Sequence, residues 1–141
     1  MLSQDIADKL ISMDKKLINC NTLIVPLPNE SIVIEASSLC EKEHFLFDIW
    51  RGKIQIRKYK FQNRYSKNEI LLRLDIVPET HFHMNPDGER IYGPHLHYYK
   101  EGFGDAWAKQ YTSISNNFLD YIADFFKLCN VVNVPNIQIK V

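Results

Sequence analysis

The stretch Glu69-Ile70-Leu71-Leu72-Arg73-Leu74-Asp75-Ile76-Val77 decides the fold. Ile70, Leu72, Leu74 and Ile76 recur at every second position, which is the period of a strand. They share one apolar face and leave Arg73 and Asp75 together on the other. Pro78 ends the run, because proline cannot donate to a ladder.

Upstream of it, the same reasoning predicts strands over Thr22–Pro26, Ser31–Ala36, Phe45–Trp50 and from Lys53 to about Tyr65. A Pro28-Asn29-Glu30 turn separates the first two, and a tight Arg51-Gly52 turn joins the last two. Ile54 and Ile56 alternate with Lys53, Gln55 and Arg57, whereas Tyr59 and Phe61 have the opposite parity, so a bulge is expected near Arg57-Lys58. Helical spacing frames these strands. Ile6, Leu10, Met13 and Leu17 predict a helix over Ser3–Ile18, with Ser3 as N-cap and Asn19 as stop. Ser113 or Ser115 should cap a second helix running to about Cys129, burying Phe118, Tyr121, Ile122, Phe125, Phe126 and Cys129. Asp105–Ala108 reads as a single turn, and Val134–Val141 as a segment that closes or edges the sheet. The order helix, strands, helix implies one α+β domain over residues 1–141: a mostly antiparallel sheet of about five to seven strands with both helices on one face.

Downstream, four of the five histidines fall within seventeen residues, as His81-Phe82-His83 and His95-Leu96-His97. Asn85-Pro86-Asp87-Gly88 between them has the composition of a type I turn. A hairpin there would return one pair toward the other, with both members of each pair on one side.

Composition bounds the rest. A chain of 141 residues with 45% hydrophobic and 24% charged content is that of a globular protein. No signal-peptide pattern or membrane-length apolar run is present, which predicts a cytoplasmic protein with no membrane partner. Cys20, Cys40 and Cys129 are odd in number and widely spaced, so reduced, mostly buried thiols are expected. The net charge of zero hides an asymmetry: residues 51–73 carry eight Lys/Arg against one Asp/Glu. In this block Arg57, Lys58, Lys60 and Arg64 interleave with Tyr59, and with Arg73 they form a candidate surface for RNA or another anionic partner.

Two resemblances follow from the histidine segments. Pro94-His95-Leu96-His97-Tyr98-Tyr99-Lys100-Glu101-Gly102-Phe103-Gly104-Asp105-Ala106-Trp107-Ala108 resembles the signature of a small uncharacterised family of bacteria and their mobile elements. More distantly, over about residues 69–100, Arg73-Leu74-Asp75-Ile76-Val77-Pro78, His81 and His95-Leu96-His97 resemble the TumE-type toxins of toxin–antitoxin modules. That likeness implies a toxin whose partner is a cognate antitoxin.

Chemically, paired histidines can supply a general base and a general acid near neutral pH, and arginine can hold phosphoryl oxygens. The expected catalytic set is therefore His81, His83, His95, His97 and Asp75, cleaving a phosphodiester such as RNA, with Arg73, Arg57, Lys58, Lys60, Arg64 and Tyr59 binding the substrate. A divalent metal, zinc, manganese or iron, would use the same histidines together with Glu101, since His95-x-His97-x-x-x-Glu101 resembles the first half of the cupin pattern. A further alternative is a protein without catalysis that binds and inhibits a nuclease or another defence protein.

Overall fold

A computed structural model describes residues 1–53, 57–113 and 117–139. Ser3 accepts the Ile6 N–H at 3.3 Å and opens helix α1, Gln4–Ser12. The helix ends earlier than its spacing suggests, because Lys15–Leu17 forms strand β1 and leaves the helical path. There the buried Lys15 ammonium donates to the carbonyls of Ile11, Met13 and Cys129, satisfying acceptors at the ends of both helices.

The remaining strands are β2 Thr22–Ile24, β3 Glu30–Ser38, β4 His44–Arg51, β5 Tyr59–Tyr65, β6 Glu69–Ile76, β7 Phe82–Met84, β8 Arg90–Tyr92, β9 His95–Lys100, β10 Gly104–Gln110 and β11 Asn136–Gln138. Helix α2, Phe118–Leu128, lies between β10 and β11. Seven strands form one antiparallel sheet in the order β1-β3-β4-β5-β6-β9-β10. The chain is therefore α+β, as its patterning implies. No helix among the described residues is long and apolar enough to cross a membrane.

Several local expectations change. The link between β4 and β5 is not a tight Arg51-Gly52 turn: it runs from Gly52 to Lys58, closed by the Gly52 N–H on the Lys58 carbonyl at 2.8 Å. A Cβ on Gly52 would lie 2.8 Å from that carbonyl oxygen and 3.0 Å from the Trp50 indole, so only glycine fits without displacement. Ile54 and Ile56 lie outside the described residues, and the irregularity in β5 comes at Asn63/Arg64. Asp105–Ala108 is strand, not turn, because Gly102 and Gly104, both at positive φ, reverse the chain and pair β10 with β9. Asn117, rather than Ser113, caps α2, accepting from the Asp120 N–H at 2.9 Å; Ser115 lies outside the described residues. β11 pairs in parallel with β2 in a separate small sheet instead of joining the large one. All three cysteines are free, but only Cys129 is buried.

Alternation along the strands divides the sheet. Phe45, Phe47, Ile49, Phe61, Leu74, Ile76 and Leu96 face a core that includes Ala7 and Leu10 of α1 and the expected stripe of α2. Phe47 meets Phe125 and Phe126 with ring centroids 6.2 and 5.4 Å apart, in edge geometry. The other face carries two transverse rows, fixed by register. One runs Trp50, Lys60, Asp75, His95; the other runs Asp48, Gln62, Arg73, His97.

Candidate functional site

The site begins with the period-two strand β6, whose polar face holds Arg73 and Asp75. Directly beside them on β9 stand His97 and His95, in register with Arg73 and Asp75 respectively. The His-x-His spacing aims both imidazoles at the same face. The turn at Asn85–Gly88 forms as its composition indicates, with Gly88 at φ 91° donating to the Asn85 carbonyl. It folds β7 and β8 into a hairpin that brings in the third imidazole. Asn85 pins this hairpin to β10 by donating to the Ala108 carbonyl and accepting the Ala108 N–H, each at 2.9 Å. His83 then stands 4.5 Å from His97 and 5.5 Å from His95 between ring centroids.

Main-chain carbonyls fix the orientation of all three rings. His83 donates Nε2–H to Ala106, His95 donates Nδ1–H to Gly93, and His97 donates Nδ1–H to Asp105, at 2.8, 2.9 and 2.8 Å. A carbonyl can only accept, so in each ring the bonded nitrogen carries a proton and the other is the one left to accept or to take a second proton. His97 Nε2 accepts from Arg73 at 2.9 Å, while Nε2 of His95 and of His97 each lie 3.4 Å from Asp75 Oδ2.

Arg73 is the electrostatic centre. Its Nε–H donates to Asp75 at 3.1 Å and one terminal nitrogen to Asp105 at 2.6 Å. With the bond to His97, three of the five guanidinium N–H groups are engaged among the described residues, leaving one on each terminal nitrogen. Burial would raise the Asp75 carboxyl, but the imidazoles of His95 and His97 and the Arg73 guanidinium outweigh it and hold it far below the ordinary carboxylate range. Burial pulls His83 down from its ordinary value; the Ala106 carbonyl opposes this, and the neighbouring His97, His95 and Arg73 reinforce it. His83 thus keeps a free lone pair near neutral pH.

The structure brings together His83, His95, His97, Asp75 and Arg73. His81 is exposed and outside the group, its main chain bonded to Pro78 and Gly93. Glu101 accepts the Gln4 N–H at 2.7 Å at the start of α1, so it does not complete a ligand set with the histidines. The ligand atoms of His83, His95 and His97 all lie within 4.8 Å of one another, a group that could hold a metal ion.

The basic block is divided by the pleat. Lys60 stands on the site's face, in register with Asp75. Arg64 is committed to Asp48, with contacts of 2.6 and 2.8 Å, and to the Lys67 carbonyl. Tyr59 is on the opposite face, its ring stacked 4.6 Å from that of Phe118. Arg57 and Lys58 belong to the Gly52–Lys58 connection. Asp105 is not legible as a site residue in the sequence, where its segment reads as a turn; the Gly102/Gly104 spacing is the signal that a hairpin would place it beside the neighbouring strands.

The family model "Family of unknown function (DUF6978)" matches residues 2–134. No curated protein and no solved structure matches the chain.

Proposed function

The chain belongs to the DUF6978 family of unknown function, and from the chemistry of its site we propose that it cleaves RNA phosphodiesters by general acid–base catalysis. The observation that carries this reading is the guanidinium of Arg73, held by Asp75, Asp105 and His97 with one N–H on each terminal nitrogen left without a partner among the described residues. Two such donors match two oxygens of a phosphate. His83 takes the proton from the 2′-hydroxyl, which attacks phosphorus and forms the cyclic phosphate. For this step His95 carries a second proton on the Nε2 that faces Asp75, and it gives that proton to the departing 5′-oxygen, matching the one His83 removes. Arg73 balances the charge of the phosphorane between these steps. The likeness of the Arg73-x-Asp75 strand and His95-x-His97 to TumE-type toxins points the same way, with a cognate antitoxin as protein partner.

A second reading has its own observation. Three imidazoles held by backbone carbonyls, with one ring nitrogen of each within 4.8 Å of the others, make an arrangement that metal ligands adopt. The 3.4 Å gaps to Asp75 also match the edge of a tetrahedron built on bonds of about 2.0–2.1 Å. Zinc, manganese or iron would then sit among His83, His95, His97 and Asp75, and Arg73 would have to release His97 Nε2.

The test is turnover of an end-labelled single-stranded RNA, with chelator and then with each of the three metals. Cyclic-phosphate product in chelator, reduced about 100-fold or more in His83→Ala and in His95→Ala, is the expected result. Product only with metal would transfer the site to the second reading. No turnover under any of these conditions would overturn both, leaving a stoichiometric inhibitor of a nuclease or defence protein.

A further inference from the structure

We infer that the face of β3, β4 and β5 beside the histidine cluster is a binding track for single-stranded RNA, with Trp50 as a base-stacking platform and Lys60 as a phosphate contact. This deepens the RNA reading of the same site and rests on it. A depression of about 310 Å³ lies here, lined by Ser31, Asp48, Trp50, Lys60 and Gln62. Register places it in line with the cluster, since Trp50 pairs with Lys60, Lys60 with Asp75 and Asp75 with His95. At a strand spacing of ~4.8 Å, Lys60 stands roughly 10 Å from His95 and Trp50 roughly 14 Å. A chain crossing the strands from Trp50 would therefore pass Lys60 before reaching Arg73.

The charge of this surface selects the occupant. Asp48, the acidic residue of the depression, is already bonded to Gln62 and Arg64, so its charge is answered within the sheet. Lys60 is exposed, and so are Lys53 and Arg57 in the connection that begins at Gly52, the residue lying against the indole. Among the described residues, neither these three nor Lys58 forms an ion pair. Unanswered positive charge around an indole is the combination that tracks a phosphate backbone while stacking its bases. The indole lies close over the Gly52 backbone, since Trp50 Cη2 is 3.0 Å from where a Gly52 Cβ would be. A duplex hides its bases from such a platform, which favours a single strand.

The probe is a short mixed-sequence RNA methylated at every 2′-oxygen, which has no attacking hydroxyl and so reports binding without cleavage. Trp107→Phe leaves Trp50 as the remaining tryptophan, and its fluorescence should be quenched as the probe is added. Trp50→Ala should weaken binding about fivefold or more, with Trp50→Phe restoring part of it. Lys60→Gln, an exposed change that leaves folding intact, should flatten the slope of log affinity against log salt by about 0.7. Unquenched Trp50 together with an unchanged slope in Lys60→Gln would overturn the track. So would tighter binding of the corresponding duplex, or equal competition by polyglutamate, which would mark a surface for an acidic protein. Trp50-dependent binding of the probe without cleavage of unmethylated RNA would keep the track and defeat the proposed reaction. Cleavage with binding indifferent to Trp50 and Lys60 would do the reverse.

Discussion

Arginine at position 73 does what no other side chain could. Its planar fork reaches Asp75, Asp105 and His97 at once, three partners contributed by three adjacent strands. A lysine has one compact ammonium and cannot span them. Arg73→Lys should therefore lower RNA turnover by about 100-fold or more, the scale of losing a preorganised donor to the transition state. It should also lower stability by about 1–3 kcal/mol as the half-buried Asp75 loses a partner. Single-turnover kinetics and thermal unfolding of the same variant separate the two effects. Unaltered turnover would show that the guanidinium holds the sheet together and takes no part in chemistry.

Among the elements, the β7–β8 hairpin is the one that completes the site. It is short, and Asn85 fastens it through two bonds to the Ala108 main chain. Asn85→Ala leaves that buried N–H and C=O without partners, a cost of about 1–3 kcal/mol borne by the hairpin. Because the bonds of His95 to Gly93 and of His97 to Asp105 do not involve Asn85, the expected outcome is selective. Hydrogen exchange should rise in residues 82–92 while β6 and β9 stay protected, and turnover should fall with His83 out of place. Exchange that rises evenly across the sheet would refute this picture of an independently fastened flap.

For the molecule as a whole, Lys15 ties the pH dependence of stability to the packing of both helix ends. Burial pulls its ammonium down to about 8 from 10.5, despite the opposing pull of Cys129 and Asp14. The unfolded chain then binds more protons than the native one between these two values, so this residue adds stability as pH rises from about 8 toward 10.5. The contribution is at most about 3 kcal/mol. Tyrosines 65, 99 and 111, pushed above their ordinary value, act in the opposite direction at the top of this range. Comparison with Lys15→Met isolates the lysine: chemical denaturation at pH 8 and pH 10 should give a smaller gain, or a larger loss, in the variant. Equal changes in the two proteins would mean that the native Lys15 titrates as it does in the unfolded chain.

Alternation in residues 69–77 was enough to specify β6, and the α2 stripe from Phe118 to Cys129 was equally legible, because both are local periodicities that a buried face imposes on sequence. The same alternation put Arg73 and Asp75 on one face, and His-x-His parity did so for His95 and His97. Sequence also supplied the turn that returns His83. What it could not supply was which strand lies beside which. Setting β9 against β6 is a pairing between residues distant in the chain, and it alone makes a cluster of His95, His97, Arg73 and Asp75. The pleat then sent Tyr59 to the core and Lys60 to the site's face, dividing a basic block that is continuous in sequence. Tertiary structure tied the three imidazoles to main-chain carbonyls within one group, left His81 outside it and gave Glu101 to the start of α1. The sequence by itself therefore determined the elements and the chemical inventory of the site. Tertiary structure decided the membership and orientation of that site, because both are fixed by contacts between segments that share no local pattern.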